Sequence, residues 1–252
     1  MVVDQCFKKK QISVSYQPIV NVKTGELYGL EALSRGFIDS KHDTHPADFV
    51  AQFENGGMAR EFTLHLLNTI DHDIENVVGL VKENIKLSIN FNALSIQQPQ
   101  FIDDCMLFNR KMMAKKITFC VEVTEVQNLN SLALSTLQTL KMCNVGIFLD
   151  DFGTKYSNLS YLLDLDVDAL KVDRAFVKKI HSPMGKDILK MIIDFSNHAG
   201  LDVISEGVES ESQSKLLVAL GSYLQQGYVH SWPMDIDRLK EYLKAIKVAN
   251  NK

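Results

Sequence analysis

Seven apolar runs along this chain each close on a polar residue that an apolar strand would not select for itself. They are Leu30-Glu31-Ala32-Leu33, Ser88-Ile89-Asn90, Cys120-Val121-Glu122, Phe148-Leu149-Asp150-Asp151, Ala169-Leu170-Lys171, Val203-Ile204-Ser205-Glu206 and Tyr223-Leu224-Gln225-Gln226. Most intervals between the polar ends have room for one strand, one helix and their loops. Polar groups at the ends of successive parallel strands, with crossover helices between them, form the active-site mouth of a (β/α) barrel. The polar ends are mostly acids and amides with one lysine and no nucleophile. That is the composition of a metal site with a cationic assistant.

Between these runs the pattern fills in. Tyr16 to Val20, a turn through Lys23-Thr24-Gly25, and Leu27 to Leu33 predict a β-hairpin, which a barrel of parallel strands alone would lack. Pro46-Ala47-Asp48-Phe49-Val50 predicts a short helix that opens on proline and ends at Gly56-Gly57. Phe62, Leu66, Ile70 and Ile74 recur at helical spacing from Met58 to about Val78. Strands are then predicted from Ile85 to Asn90, Ile117 to Val123, Gly146 to Asp150, Ala169 to Val172, Val203 to Ser205 and near Leu224. The helices alternating with them run from about Phe101 to Met113, Ser131 to Met142, Leu159 to Leu163, Phe176 to Ile180, Gly185 to His198, Glu211 to Leu220 and Ile236 to Val248. Asp151 to Ser157 reads as a loop. Strands alternating with helices imply an α/β chain with a parallel sheet.

Bulk properties narrow this picture. The 252 residues match one α/β barrel, so residues 1–252 are expected to form a single domain, and a hydrophobic content of 46% is ample for its core. A net charge of −4 gives no global field for a nucleic-acid polymer, so an anionic substrate must be attracted locally. The basic run Lys8-Lys9-Lys10 reads as a solvated terminus. Cys6, Cys105, Cys120 and Cys143 are scattered without a C-x-x-C pair, which fits free thiols in a reducing compartment. No signal-peptide core or bilayer-length apolar run is present, so a cytoplasmic protein without a membrane partner is expected.

The candidate chemistry lies at the strand ends. Glu31, Glu122, Asp150, Asp151 and Glu206 would converge at one mouth. Two carboxylates about 4 Å apart repel by about 1 kcal/mol in water and about 4 kcal/mol at an effective dielectric of 20, so such a cluster needs cations. Oxygen-only ligands, with Asn90 adding a neutral carbonyl, suit Mg²⁺ or Mn²⁺ rather than zinc. Neighbours on a strand point to opposite faces, so Asp150 and Asp151 can share a cavity only where the strand ends and the chain turns. Lys171 would aim into the acidic cleft and orient the nucleophile or neutralise developing charge. A structural pair with Asp173 is expected beside that role, because an unpaired buried ammonium is costly. The histidines (among them His42, His45, His65 and His72) carry no metal motif, and no histidine is placed as a base for Ser34 or Ser157.

These residues also resemble a known family. Tyr16-Gln17-Pro18-Ile19-Val20 followed by Glu31-Ala32-Leu33-Ser34-Arg35 resembles the opening of an EAL domain, the bacterial cyclic di-GMP phosphodiesterase. The resemblance continues through Asn90, Glu122-Val123-Thr124-Glu125, Asp150-Asp151-Phe152-Gly153-Thr154, Leu170-Lys171-Val172-Asp173-Arg174, Glu206-Gly207-Val208-Glu209 and Gln226-Gly227-Tyr228. It implies a modified TIM (β/α)8 barrel with one antiparallel strand. It also implies hydrolysis of cyclic di-GMP to linear pGpG, with two Mg²⁺ or Mn²⁺ ions per site. Glu31, Asn90, Glu122, Asp150 and Asp151 would hold the metals. Lys171, Glu206 and Gln226 would position or activate the attacking water, and Glu206 would also stand on the metal side. Gln17, Glu31, Leu33, Arg35 and Asp173 would contact the dinucleotide, and Glu125 would anchor the loop that begins at Asp151.

Two positions depart from the family pattern. Lys155 stands where glycine is usual, and Gly36 replaces an aromatic residue often found after the arginine. The competing reading is a non-catalytic cyclic di-GMP receptor or protein-interaction module on the same barrel. The chain carries no sensory, receiver or cyclase segment, which leaves three expectations open: it works alone, associates with a separate sensor, or is cut from a longer protein. Tyr156, Leu159, Tyr161, Leu162 and Leu163 make an apolar stretch after the Asp-Asp pair, from which a homodimer is expected. The alternative use of these side chains is to fill the barrel's own outer layer.

Overall fold

A computed structural model of the protein describes residues 12–39, 42–43, 57–124, 129–153 and 161–249. The predicted hairpin is present: β1 (Ile12–Asn21) and β2 (Glu26–Asp39) pair antiparallel along their length. β2 carries a two-stranded extension to β3 (His42–Asp43). Parallel pairing then runs from β2 through β4 (Lys86–Asn90), β5 (Thr118–Thr124), β6 (Gly146–Phe152), β7 (Ala169–Val172), β8 (Asp202–Ser205) and β9 (Leu224–Gln225). β9 pairs antiparallel with β1, which closes the eight-stranded barrel. The fold is thus the modified TIM barrel with β1 as its antiparallel strand.

Helices cover the outside, and their ends follow local chemistry. Asn130 accepts from the Ala133 amide and starts the helix Ser131–Met142. Ser210 and Gln213 form a reciprocal capping box at the start of Glu211–Leu220, and Gly221 in the left-handed region ends it. Both helices have the predicted bounds. The outward face of the strands packs on the helices, as where the Phe108 and Phe119 rings meet edge to face at 4.9 Å. Inside the barrel, Ile19, Cys120, Phe148, Ala169, Ile204 and Leu224 form a separate apolar layer. That layer is the floor on which the site stands.

Several expectations meet different outcomes. Strand β6 continues to Phe152 rather than turning into a loop at Asp151. Cys105 and Cys120 are buried free thiols, and Cys143 is a half-buried one. The expected helix from Pro46, together with Cys6, His45, Glu125, Lys155, Tyr156, Ser157 and Leu159, lies outside the described residues. Among the described residues no helix is long and apolar enough to cross a membrane.

Candidate active site

Side chains alternate along a strand, so a residue two positions beyond an inward apolar one also points inward. Cys120 is followed in this way by Glu122, Phe148 by Asp150, Ala169 by Lys171, Ile204 by Glu206 and Leu224 by Gln226. On the antiparallel strand the order is reversed, and Gln17 comes two residues before Ile19. Sequence period and strand direction together lift a polar ring above the apolar floor.

At the centre is Lys171, 1% exposed. Its ammonium lies 2.6 Å from Glu206 Oε1, 3.1 Å from Glu31 Oε2 and 3.7 Å from Asp150 Oδ1, and it donates to Glu122 Oε1. The expected Lys171–Asp173 ion pair does not form among the described residues. Asp173 instead accepts from the Ala175 amide and caps the helix Arg174–Lys178. The correction has a simple cause: Lys171 points into a barrel that already offers four carboxylates, while Asp173 stands where the next helix starts. Burial alone would lower the Lys171 pKa, but Asp150, Glu122, Glu206 and Glu31 together hold it well above the usual value.

One ammonium cannot neutralise the carboxylates around it. Burial, then the neighbouring Glu31 charge, raises Glu122 well above the carboxylate range against the pull of Lys171. Burial likewise raises Asp150, and it lifts Glu206 to about 8. Glu31 is the exception. Burial pushes it up, but the Lys171 charge and hydrogen bonds from Gln226, Lys171 and Asn90 outweigh that and hold it low. Gln226 Nε2 donates to Glu31 Oε2 at 2.6 Å, and Asn90 Nδ2 donates to Glu31 Oε1 at 2.6 Å. Gln226 Nε2 also donates to Gln17 Oε1 at 3.1 Å, tying β1 into the ring.

Asp151 joins the cavity by a backbone irregularity. Its φ is +54°, and the β6–β7 register slips between Leu149 and Phe152. The slip defeats strict alternation, so Asp150 and Asp151 both turn toward Glu206. Partial burial, then Asp150 and Asp173, raises the Asp151 pKa to about 6. Glu31, Glu122 and Glu206 each offer an oxygen within 4.8 Å of the others, and so do Asp150, Asp151 and Glu206. Glu206 belongs to both sets. Glu122 Oε2 and Asp150 Oδ1 are buried without a hydrogen-bond partner. An orphaned buried carboxylate oxygen is costly and calls for a proton or a cation. The hard oxygen donors and their orphaned atoms therefore fit a divalent cation.

A cleft of about 160 Å³ opens above this ring, bordered by Gln17, Glu31, Asp150, Glu206 and Gln226. Arg174, Glu209 and Tyr228 border it as well. The sequence carried these three only as parts of motifs, with no role attached. Gly207 has φ +61° and sits so close to Arg174 that an added Cβ would fall 2.3 Å from the arginine Cβ, so glycine is required there. Leu33 and Arg35 share the Glu31 face of β2 by alternation, but they do not border the cleft. Pairing of β2 with β4 ends at Ala32, and the hairpin rises above the rim with Ser15 opposite Leu33 and Ser13 opposite Arg35. Gly36 pairs with Ile12 farther out still.

The EAL domain model matches residues 2–233, and the chain belongs to that family. A relative from Escherichia coli K12, named as the probable cyclic di-GMP phosphodiesterase PdeG, is 34% identical over 92% of this chain and 47% of its own length. The chain thus spans about half the length of that relative. The solved structure of the EAL enzyme Bd1971 in its cAMP- and cyclic-di-GMP-bound form is 28% identical, with a TM-score of 0.84 over 97% of this chain and 67% of that one. The PaMucR phosphodiesterase in complex with c-di-GMP is 27% identical, with a TM-score of 0.82 over 94% of this chain and 97% of that one.

Proposed function

We propose that this chain hydrolyses cyclic di-GMP to linear pGpG with two Mg²⁺ or Mn²⁺ ions. The observation that carries the reading is the buried ring around Lys171, whose orphaned Glu122 and Asp150 oxygens are open to a cation, in a family of cyclic di-GMP phosphodiesterases. Glu31, Asn90, Glu122, Asp150 and Asp151 would hold the metals, with Glu206 shared between the two carboxylate sets. Bound there, the ions would supply a more acidic water and positive charge on the phosphodiester.

The protein's own groups do the rest. Lys171 fixes one oxygen each of Glu122 and Glu206 and limits repulsion while the substrate's negative charge enters. Glu206 borders the cleft and, deprotonated once cations are bound, would take a proton from the attacking water, while the leaving 3′ oxygen takes up a proton from solvent. Gln226 and Asn90 hold the two Glu31 oxygens, so that carboxylate cannot rotate. Arg35, on the raised hairpin, offers its planar fork of donors to a phosphate. Leu33 and Asp173 would contact the dinucleotide beyond the cleft. A receptor without catalysis would not need every one of these side chains intact.

Incubation with cyclic di-GMP and Mg²⁺ or Mn²⁺ should yield pGpG, detected by chromatography, and a chelator should stop it. Folded, metal-loaded protein that leaves the dinucleotide intact would defeat the proposal. Two barrels are further proposed to pair through the region that follows Asp151. Leu163 is 88% exposed there, beside an apolar groove of about 470 Å³ that includes Leu165, Val167 and Phe195. Light scattering over a dilution series should show a dimer whose dissociation lowers specific activity. A monomer of constant specific activity would rule that coupling out.

A further inference from the structure

We propose that Trp232 and Tyr228 form a stacking platform for one base of the dinucleotide, with Trp232 as a substrate-binding residue. The inference rests on the phosphodiesterase reading and extends it to the rim. The two rings lie 3.6 Å apart between centroids at an angle of 10°. Tyr228 is 46% and Trp232 64% exposed. Two large aromatic faces held parallel and left open to water are an unusual use of apolar surface, since such rings contribute most when covered.

Their place gives the exposure a purpose. Tyr228 borders the catalytic cleft, and at about 160 Å³ that cleft is smaller than the roughly 300–1,000 Å³ that encloses a drug-sized ligand. A phosphodiester group fits inside, and the bases of a cyclic dinucleotide must lie on the rim. Trp232 stacks on the residue that borders the cleft, so the pair presents an open aromatic face that matches the π-face of a purine, and such stacking is worth about 1–3 kcal/mol per base.

The backbone fixes the platform relative to the reacting groups. Gly227 O accepts from the His230 and Ser231 amides, which coils the chain so that residues four apart can stack. Gly227 passes so close to Val208 that an added Cβ would lie 2.2 Å from its carbonyl oxygen. Beyond Trp232, Met234 exchanges backbone hydrogen bonds with Tyr16 at 2.7 and 2.9 Å. Gln17 is the link: its Nε2 donates to Ser231 O at 3.2 Å, while its Oε1 accepts from Gln226, the residue that holds Glu31. One glutamine thus sets the platform's position against that of the carboxylates.

The test exploits composition, because the chain has one tryptophan. Stopped-flow mixing of the metal-loaded wild-type protein with cyclic di-GMP should quench tryptophan fluorescence in a saturable first phase. Trp232→Ala should raise KM for cyclic di-GMP about tenfold with kcat changed less than about twofold, and Trp232→Phe should restore most of the loss. Turnover with silent fluorescence and an unchanged KM in both variants would overturn the platform while leaving the phosphodiesterase in place. Wild-type protein that neither turns over cyclic di-GMP nor binds it by calorimetry would overturn both. If the alanine variant fails to fold, the wild-type fluorescence and the phenylalanine variant still decide.

Discussion

The barrel interior holds two layers of opposite character, separated by two residues on the same strands. The lower layer, with Cys120, Phe148, Ala169 and Ile204, is apolar and closely packed; the upper one, with Glu122, Asp150, Lys171 and Glu206, is crowded with charge. Strand geometry is common to both, so backbone preference does not explain the contrast. The lower layer gains from leaving water. The upper layer loses by it, as its raised carboxylate pKa values record, and it is held in place by the layer beneath. Stability and chemistry are therefore written at alternate inward positions of each strand.

The largest effect should come from changing a charge in the upper layer. Asp150→Asn should cut kcat by at least about a thousandfold, equivalent to about 4 kcal/mol of barrel-mouth stabilisation of the transition state. The same variant, freed of metal, should melt no lower than wild type, because it removes one charge from a cluster with too many. A thermal melt of the chelated variant well below wild type would show that the cluster holds the fold together, and the contrast of layers would fail.

Phe148→Ala, two residues before Asp150, should do the reverse. It empties a fully buried volume and should lower unfolding free energy by about 3–5 kcal/mol in denaturant titration. Turnover per folded molecule should fall far less than in Asp150→Asn. Equal losses of kcat in the two variants would mean that floor and ring do not separate.

The smallest effect is in the pH dependence of the chelated protein. The folded Glu206 pKa of about 8 lies above the ordinary 4.5, so the folded state holds its proton more tightly than the unfolded chain does. Stability from this group is complete below about 4.5 and is lost as pH rises toward 8. Melting temperature without metal should therefore decline by several degrees from pH 5 to pH 8, and Mg²⁺ or Mn²⁺ should flatten the decline. A melting curve that ignores both pH and metal would remove the electrostatic half of the comparison.

Much of this was visible in the chain. Helices Ser131–Met142 and Glu211–Leu220 were bounded correctly because their stop and start signals, Asn130, Ser210 with Gln213, and Gly221, are local. The hairpin and the polar strand ends were legible for the same reason: both follow a two-residue period. Non-local facts were hidden. Sequence proximity offered Asp173 as the partner of Lys171, whereas Glu122 and Glu31 reach it from distant strands. The continuation of β6 through Asp151 depends on a positive φ that aspartate adopts without announcing it. Arg174 and Tyr228 border the cleft beside close backbone approaches at Gly207 and Gly227, which no periodicity encodes.

The hydrogen bond between Gln226 and Gln17 joins residues 209 positions apart, and Gln226 also holds Glu31 across 195. During synthesis the hairpin that carries Gln17 and Glu31 emerges about 200 residues before the strand that completes their arrangement. Until then β1 lacks its β9 neighbour and the barrel has two open edges, the state in which strands pair with the wrong chain. Contacts of such long span slow folding, since loop closure must precede them. A ribosome-bound chain can thus hold most of its helices and several paired strands and still lack the assembled polar ring, which forms only once β9 meets β1.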